Sequence, residues 1–296
     1  MITVFGSTNL DQVGTVTRLP EPGETVAGGT FSMAPGGKGA NQALAARRAG
    51  AEVRHVSAVG DDAFADMALD LLKSGGVDLS AMRKAEAATG IAMIFVDAEG
   101  ENVIAILPGA NGTVSPEDAD NRLAALKAGD IVLLQQEVPQ AATRRALEIA
   151  RERGARSVLN TAPFLSDTAE LAPLADIVVA NETEFSLLTG RPIAELDEAM
   201  ADWVNNTGRT IVVTLGADGA RAQTPDGAIS VAAHPVKPVD TVGAGDTFCG
   251  YLAASLEAGL DLEKAMRRAA IAGSLACLNP GAQPAIPLAK DVDALV

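Results

Sequence analysis

Four short runs, Ile2–Phe5, Ile131–Leu134, Ile177–Val179 and Ile211–Val213, are almost wholly apolar, and segments of helical spacing separate them. Apolar runs without a polar alternation suit strands covered by helices on both faces. The pattern predicts an α/β fold with a doubly wound, mainly parallel sheet flanked by helices. Two of the helices are directly readable. Phe64, Met67, Ala68, Leu71 and Leu72 fall at i, i+3, i+4, i+7 and i+8 ahead of Gly75, and Phe248, Tyr251, Leu252, Ser255 and Leu256 repeat that spacing ahead of Gly259. Two segments break the βα alternation. Val13–Met33, with Pro20, Pro22, Gly23, Gly28 and Gly29, and Thr89–Leu107, with the turn Asp97-Ala98-Glu99-Gly100, read as short antiparallel strands of a small projecting sheet. Such a flap either closes over a ligand or elaborates an edge, and the pattern leaves both open. No repeat, low-complexity tract or linker divides the chain, so a single domain over 1–296 is expected, with a lid formed inside it by 13–33 and 89–107.

Composition narrows the materials and the partners. Apolar residues make up 48% of the chain but aromatic ones only 3%, so the core has to be built from Ala, Val, Leu and Ile. Lys and Arg number 23 against 38 Asp and Glu, a net charge of −15 that opposes nucleic-acid binding while leaving a small phosphate ligand open, since backbone N–H groups hold anions. The longest uncharged stretch, Ala269–Ala289, is broken by Pro280, Pro284 and Pro287 and reads as a helix followed by a loop rather than a membrane span. With a strand starting at Ile2 and no basic leader, the expected location is the cytoplasm. Cys249 and Cys277 read as two buried thiols rather than a disulfide or metal pair, and His55 and His234 as structural residues.

Two glycine loops carry candidate chemistry. Asp240-Thr241-Val242-Gly243-Ala244-Gly245-Asp246 runs into a helix beginning near Thr247, so that successive N–H groups can point at one anion at the positive helix end. The plainer alternative is that Asp246 only caps that helix. Neither the G-x-G-x-x-G spacing nor G-x-x-x-x-G-K-[ST] is present. Pro35-Gly36-Gly37-Lys38-Gly39-Ala40-Asn41-Gln42 opens another helix, ending at Arg47, Arg48 and Gly50, and is either a close-approach loop for a hydroxylated ligand or an ordinary βα turn.

Taken with Asn9-Leu10-Asp11, Pro22-Gly23-Glu24-Thr25, Gly60-Asp61-Asp62, Thr89-Gly90, Glu99-Gly100-Glu101-Asn102, Gly109-Ala110-Asn111, Glu137, Asn181-Glu182-Thr183-Glu184, Thr214-Leu215-Gly216 and Gly281-Ala282-Gln283-Pro284, these loops resemble the ribokinase branch of the ribokinase-like carbohydrate kinase family over nearly the whole chain. The resemblance implies ATP-dependent phosphorylation of a furanose sugar, D-ribose, at its primary hydroxyl. Asp246 would be the base, and the N–H groups of Gly243, Ala244 and Gly245 the anion hole. The sugar site would use Asn9, Asp11, Gly37, Lys38, Asn41 and Glu137 beside Asp246. ATP would meet Asn181, the run Thr214, Leu215, Gly216, Ala217, Asp218 and Gly219, and Gly245 and Ala270. Glu184 would serve Mg²⁺ through water. A monovalent cation, K⁺, would lie among Asp240, Val242, Ala276, Asn279, Gly281 and Ala285, where the family usually has Ser at the last position and a basic residue at Asn279. A homodimer joined through the lid is the expected assembly. A nucleoside or other sugar kinase of the same fold, or a sugar-binding homologue without turnover, are the alternatives.

Overall fold

A computed structural model describes residues 1–296. The first part of the chain forms β1 (Ile2–Phe5), β2 (Asn9–Val16), β3 (Gly28–Gly36), α1 (Lys38–Arg48), β4 (Val53–Val56), β5 (Ala58–Gly60), α2 (Ala63–Ser74), β6 (Arg83–Ala85), β7 (Gly90–Val96) and β8 (Asn102–Leu107). The middle forms α3 (Pro116–Arg122), β9 (Ile131–Leu134), α4 (Gln140–Arg153), β10 (Arg156–Asn160), α5 (Thr168–Leu171), β11 (Ile177–Asn181), α6 (Glu182–Thr189) and α7 (Leu196–Thr207). The remainder forms β12 (Thr210–Thr214), β13 (Ala220–Thr224), β14 (Gly227–Val231), α8 (Ala244–Glu257), α9 (Leu262–Ala276) and α10 (Ala289–Asp293).

Eight strands make the main sheet in the order β14, β13, β12, β11, β10, β9, β1, β4. It is parallel from β12 to β4, and the β13–β14 hairpin adds an antiparallel edge. Side-chain alternation explains the all-apolar runs: Ile131 and Leu133 enter the core under α1, α2, α8 and α9, while Val132 and Leu134 enter the core on the opposite face, under α4 and α7. The four runs read from the sequence are β1, β9, β11 and β12. Polar residues hid β4 (Arg54, His55) and β10 (Arg156, Ser157), and the edge hairpin alternates instead of running apolar. No helix is long and apolar enough to cross a membrane.

Two expectations need correction. The lid sheet, ordered β3, β2, β7, β8, is not wholly antiparallel: β2 pairs with β3 and β7 with β8 in antiparallel fashion, but β2 and β7 run parallel. Each of those two is the outgoing strand of its own hairpin, and the hairpins project side by side. The lid also starts at Asn9 rather than Val13, so Asn9 and Asp11 are themselves lid residues, while Pro20–Gly23 is loop. Asp11 stands opposite Ala92, and Ala92 opposite Ile106, which puts these three on one face of the sheet with Asn9 and Ile94. The second correction concerns α8, which begins at Ala244, three residues before Thr247. Gly243, at φ 76, ends the preceding loop, and the Thr247 N–H already donates to its carbonyl at 2.8 Å. Asp246 therefore lies in the first turn and does not cap the helix.

Candidate active site

The chain travels outward from β1 in both directions, to β4 on one side and to β9 on the other, so the strand order reverses beside β1. At such a reversal the connections leave a crevice at the carboxyl ends of the strands. Asn9 follows β1, Glu137 follows β9, Asn160 ends β10, Asn181 ends β11 and Thr214 ends β12, while Lys38 and Ala244 begin α1 and α8. Residues scattered over two hundred positions thus share one rim.

Asp246 is buried at the centre of it. Its Oδ2 accepts from Asn41 Nδ2 and its Oδ1 from Gln42 Nε2, both at 2.9 Å. Beside it the N–H groups of Gly243, Gly245 and Asp246 donate to no group in the chain, whereas that of Ala244 makes a long 3.3 Å bond to the Thr241 carbonyl. Of the three expected anion-hole donors, the N–H groups of Gly243 and Gly245 are therefore without a partner in the chain, as is that of Asp246 beside them. Gly243 has no substitute here, because a Cβ would meet Ala282 at 2.8 Å on a backbone with positive φ.

On the lid side, Glu137 Oε2 accepts from Ser7 Oγ at 2.6 Å and from the Lys38 N–H at 2.9 Å. Asn9 is fixed by Asn111, whose Nδ2 donates to Asn9 Oδ1 at 2.7 Å and to the Thr8 carbonyl at 3.0 Å, while its Oδ1 accepts from the Thr8 N–H at 2.9 Å. The Thr8 N–H needs an acceptor, so the Asn111 amide can point only one way; Asn9 then presents its NH₂ to the crevice. Asp11 has no hydrogen-bond donor. Gly36 leaves room for it, since a Cβ there would sit on the Asp11 carboxylate. Burial, with Glu137 and Asp246 adding to it against the pull of Lys38, pushes Asp11 up to about 7. Asp11, Glu137 and Asp246 are close enough to act on one another, and carboxylates so grouped are chemically suited to accept from hydroxyls.

Lys38 feels the charge of those same carboxylates and also borders a neighbouring cavity. Its side chain lines a cavity of about 220 Å³ with Asn160, Asn181, Glu184, Thr214, Gly243, Gly245 and Asp246. Burial alone would lower its ammonium, but Asp246, Glu137 and Glu184 outweigh it and hold Lys38 above the ordinary lysine value. A cation opposed to free N–H groups across a small cavity suits a phosphoryl group.

Thr214, Thr241 and Gly245 also line a wider cleft of about 500 Å³, walled by Gly216, Ala217, Gly219, Phe248 and Ala270. Leu215 and Asp218 do not join it; they face a separate surface hollow beside α7. His234 and Cys277, expected to be structural and buried, line the cleft, and Cys277 is half-exposed. Cys249 is buried as expected, with its thiol pushed well up by burial, and lines the phosphate-sized cavity. His55 is buried too, held by Thr8 Oγ1 and the Val4 carbonyl and lowered by burial to about 4.

Both cation positions fit their proposed ions. Glu184 Oε2 accepts from Thr161 Oγ1 at 2.8 Å and the Asn181 N–H at 3.1 Å as part of the α6 capping box, leaving Oε1 without a partner. The carbonyls of Val242, Ala276, Asn279, Gly281 and Ala285 accept nothing from the chain, and Asp240 ties their two loops together through the N–H groups of Val242 and Gly281. Oxygen donors left free in this way suit a hard cation.

Sequence reasoning missed Gln42, Gln135, Asn160 and Asn111. Their signal was present: Gln135 directly follows an all-apolar strand, where a polar residue marks the crevice end, and Asn111 stands in a motif string to which no role was given. The pfkB family carbohydrate kinase profile matches residues 1–289. The chain is 40% identical to the ribokinase of Staphylococcus aureus, over 99% of this chain and 98% of that protein. It is 36% identical to the deoxyribokinase of Salmonella typhi, over 97% and 95% respectively. The structure of Arabidopsis thaliana ribokinase complexed with ribose and ATP superposes with a TM-score of 0.89 at 32% identity, covering 99% of this chain and 97% of that one.

Proposed function

The chain belongs to the pfkB family of carbohydrate kinases and is an ATP-dependent sugar kinase, and from that premise we propose that it phosphorylates D-ribose at the 5-hydroxyl. The observation that carries this reading is the position of Asp246: between the hydroxyl acceptors of the lid side and a cavity faced by free N–H groups and Lys38. Asn9 donates to a sugar hydroxyl, and Asp11 and Glu137 accept from others, with Gly37 and Asn41 closing the wall. The 5-hydroxyl then points at Asp246, which takes its proton as the oxygen bonds to the γ-phosphorus and the bridge to ADP breaks. Charge spreads over the equatorial oxygens, and the amides of Gly243 and Gly245 and the Lys38 ammonium stabilise it there. ATP lies along Asn181, Thr214, Gly216, Ala217, Gly219 and Ala270.

Glu184 would hold Mg²⁺ through water, and the ion supplies charge neutralisation to the polyphosphate. The free carbonyls of Val242, Ala276, Asn279, Gly281 and Ala285 would hold K⁺ beside Asp240, where a cation strengthens the positive field at the anion hole. Two copies pair through the lid, whose Phe31, Val103 and Ile104 are 65%, 52% and 50% exposed in the single chain. Light scattering tests the pairing, and a monomer at micromolar concentration contradicts it. The activity is tested by incubating the protein with ribose and ATP: one ADP per sugar and a 5-phosphate ester by phosphorus NMR support the reading, and ribose-independent ADP release refutes it.

A further inference from the structure

The fully buried Gln42 touches neither the cavity nor the cleft, yet it sits against the base. Its Nε2 donates to Asp246 Oδ1 at 2.9 Å and to Asn160 Oδ1 at 3.2 Å, and its Oε1 accepts from Gln135 Nε2 at 2.6 Å. Every hydrogen-bonding site on this amide except one lone pair is therefore used, at 0% exposure.

The direction of the chain of bonds is set from outside the site. The Val179 carbonyl can only accept, so Asn160 turns its Nδ2 toward it, at 3.1 Å, and its Oδ1 toward Gln42. Gln42 must answer with a donor, and the second hydrogen of that same NH₂ reaches Asp246. Gln135 secures the other end by donating to the Gln42 carbonyl. A strand carbonyl of β11 thus dictates which end of a buried amide meets the base. Flipping Gln42 would set its carbonyl oxygen against both the Asp246 carboxylate and Asn160 Oδ1 at a fully buried position, which is costly.

We propose that Gln42 is a positioning residue that fixes the rotation of the Asp246 carboxylate through the Val179–Asn160–Gln42 chain, so that the base meets the sugar hydroxyl in line with the phosphoryl cavity. Asn41 holds the second oxygen and, in the proposed reading, also borders the sugar. Gln42 is packed inside the protein and meets only Asp246 and the amides behind it. Geometry in this role affects the chemical step more than binding, because a small misplacement of a reacting group costs roughly 100-fold in rate. The inference rests on the kinase reading, and the test separates the two.

Gln42→Met keeps the length of the side chain and removes the donor. The expected result is a kcat lower by roughly 10- to 100-fold, with KM for ribose and for ATP within about threefold of wild type. In an Asp246→Asn background the same substitution is expected to change kcat by less than about threefold, since there is no base left to position. Gln135→Met, one bond further back, is expected to lower kcat severalfold with the same unchanged KM values, and it carries the test if Gln42→Met does not fold. Folding is checked by thermal denaturation. Wild-type kcat in a folded Gln42→Met or, failing that, Gln135→Met protein overturns the proposal, as does a loss that multiplies fully with Asp246→Asn or that falls on KM alone. If the wild-type protein itself releases no ADP with ribose, the kinase reading fails instead.

Discussion

On one side of Asp246 stand Asn9, Asp11, Asn41 and Glu137, long polar side chains of which three already hold partners within the chain. On the other side a cleft of about 500 Å³ is walled by the small residues Gly216, Ala217, Gly219, Ala270 and Gly273 together with Phe248, Val236 and His234, and carries no carboxylate. In the proposed reading the first region distinguishes molecules by where their hydroxyls lie, because a missing hydroxyl leaves a buried acceptor unpaired. In that reading the second selects by shape, through an apolar wall with few fixed polar partners. Chemical change on the first side should therefore be severe and specific to the sugar, while on the second side only added bulk should matter.

The boundary residue comes first. Asp246→Asn keeps the size of the side chain and removes the proton acceptor, and kcat is expected to fall by roughly 10²–10⁴, with both KM values within a few-fold. Steady-state kinetics checks this, and near-normal kcat would remove Asp246 from the base role.

Asp11→Asn should act on the sugar side alone, raising KM for ribose by roughly 10- to 100-fold, the worth of hydrogen bonds to a charged acceptor, with KM for ATP unchanged. Its pH behaviour follows from the value of about 7, set by burial and by the neighbouring Glu137 and Asp246. Sugar hydroxyls donate best to the ionised carboxylate, so ribose KM should fall as pH rises through 7 in the wild type and stay flatter in the variant. Stability runs the other way. Because the folded value lies above the unfolded 3.8, the stability tied to this proton is complete below about pH 4 and is lost as pH rises through about 7. Without ligand, Asp11→Asn should thus raise Tm by a few degrees at pH 8 and have little effect at pH 4. Differential scanning calorimetry at the two pH values decides it.

On the opposite side, Ala270→Leu places bulk in the cleft and should raise KM for ATP about tenfold with ribose KM unchanged. Equal effects on both substrates would break the division between the two regions. The smallest effect concerns the cation. At constant ionic strength, K⁺ should raise activity severalfold over Na⁺ or a bulky organic cation, because only one ligand in about six to eight is affected by Ala285. The half-saturating K⁺ concentration should fall in Ala285→Ser, and rates independent of cation in both proteins would show that the carbonyl cluster serves no ion.

The same contrast governed what could be read from the sequence. The glycine loop Asp240–Asp246 is visible as residue types ahead of a helix, so it stands out as a candidate anion site without coordinates, whereas Asp11 becomes a candidate only through the family resemblance. The parallel pairing of β2 with β7 could not be read, because it depends on two hairpins projecting side by side rather than on either hairpin's own pattern. Nor could the amide chain behind Asp246: Gln42, Gln135 and Asn160 lie on three separate elements, and only the closed sheet brings them together. Lys38, which the resemblance puts with the sugar, also lines the phosphate-sized cavity from the start of α1. Leu215 and Asp218, which the resemblance assigns to the nucleotide within the run Thr214–Gly219, line a separate hollow beside α7 in this structure.

The most direct test of the sugar-kinase reading is kcat/KM for ADP release across ribose, 2-deoxyribose, fructose and adenosine, measured with one enzyme preparation at fixed Mg²⁺ and K⁺. Ribose is expected to rank first, with 2-deoxyribose lower by roughly tenfold or more for the acceptor its missing hydroxyl leaves unpaired. Another acceptor ranking above ribose, or no sugar-dependent ADP release at all, would contradict it.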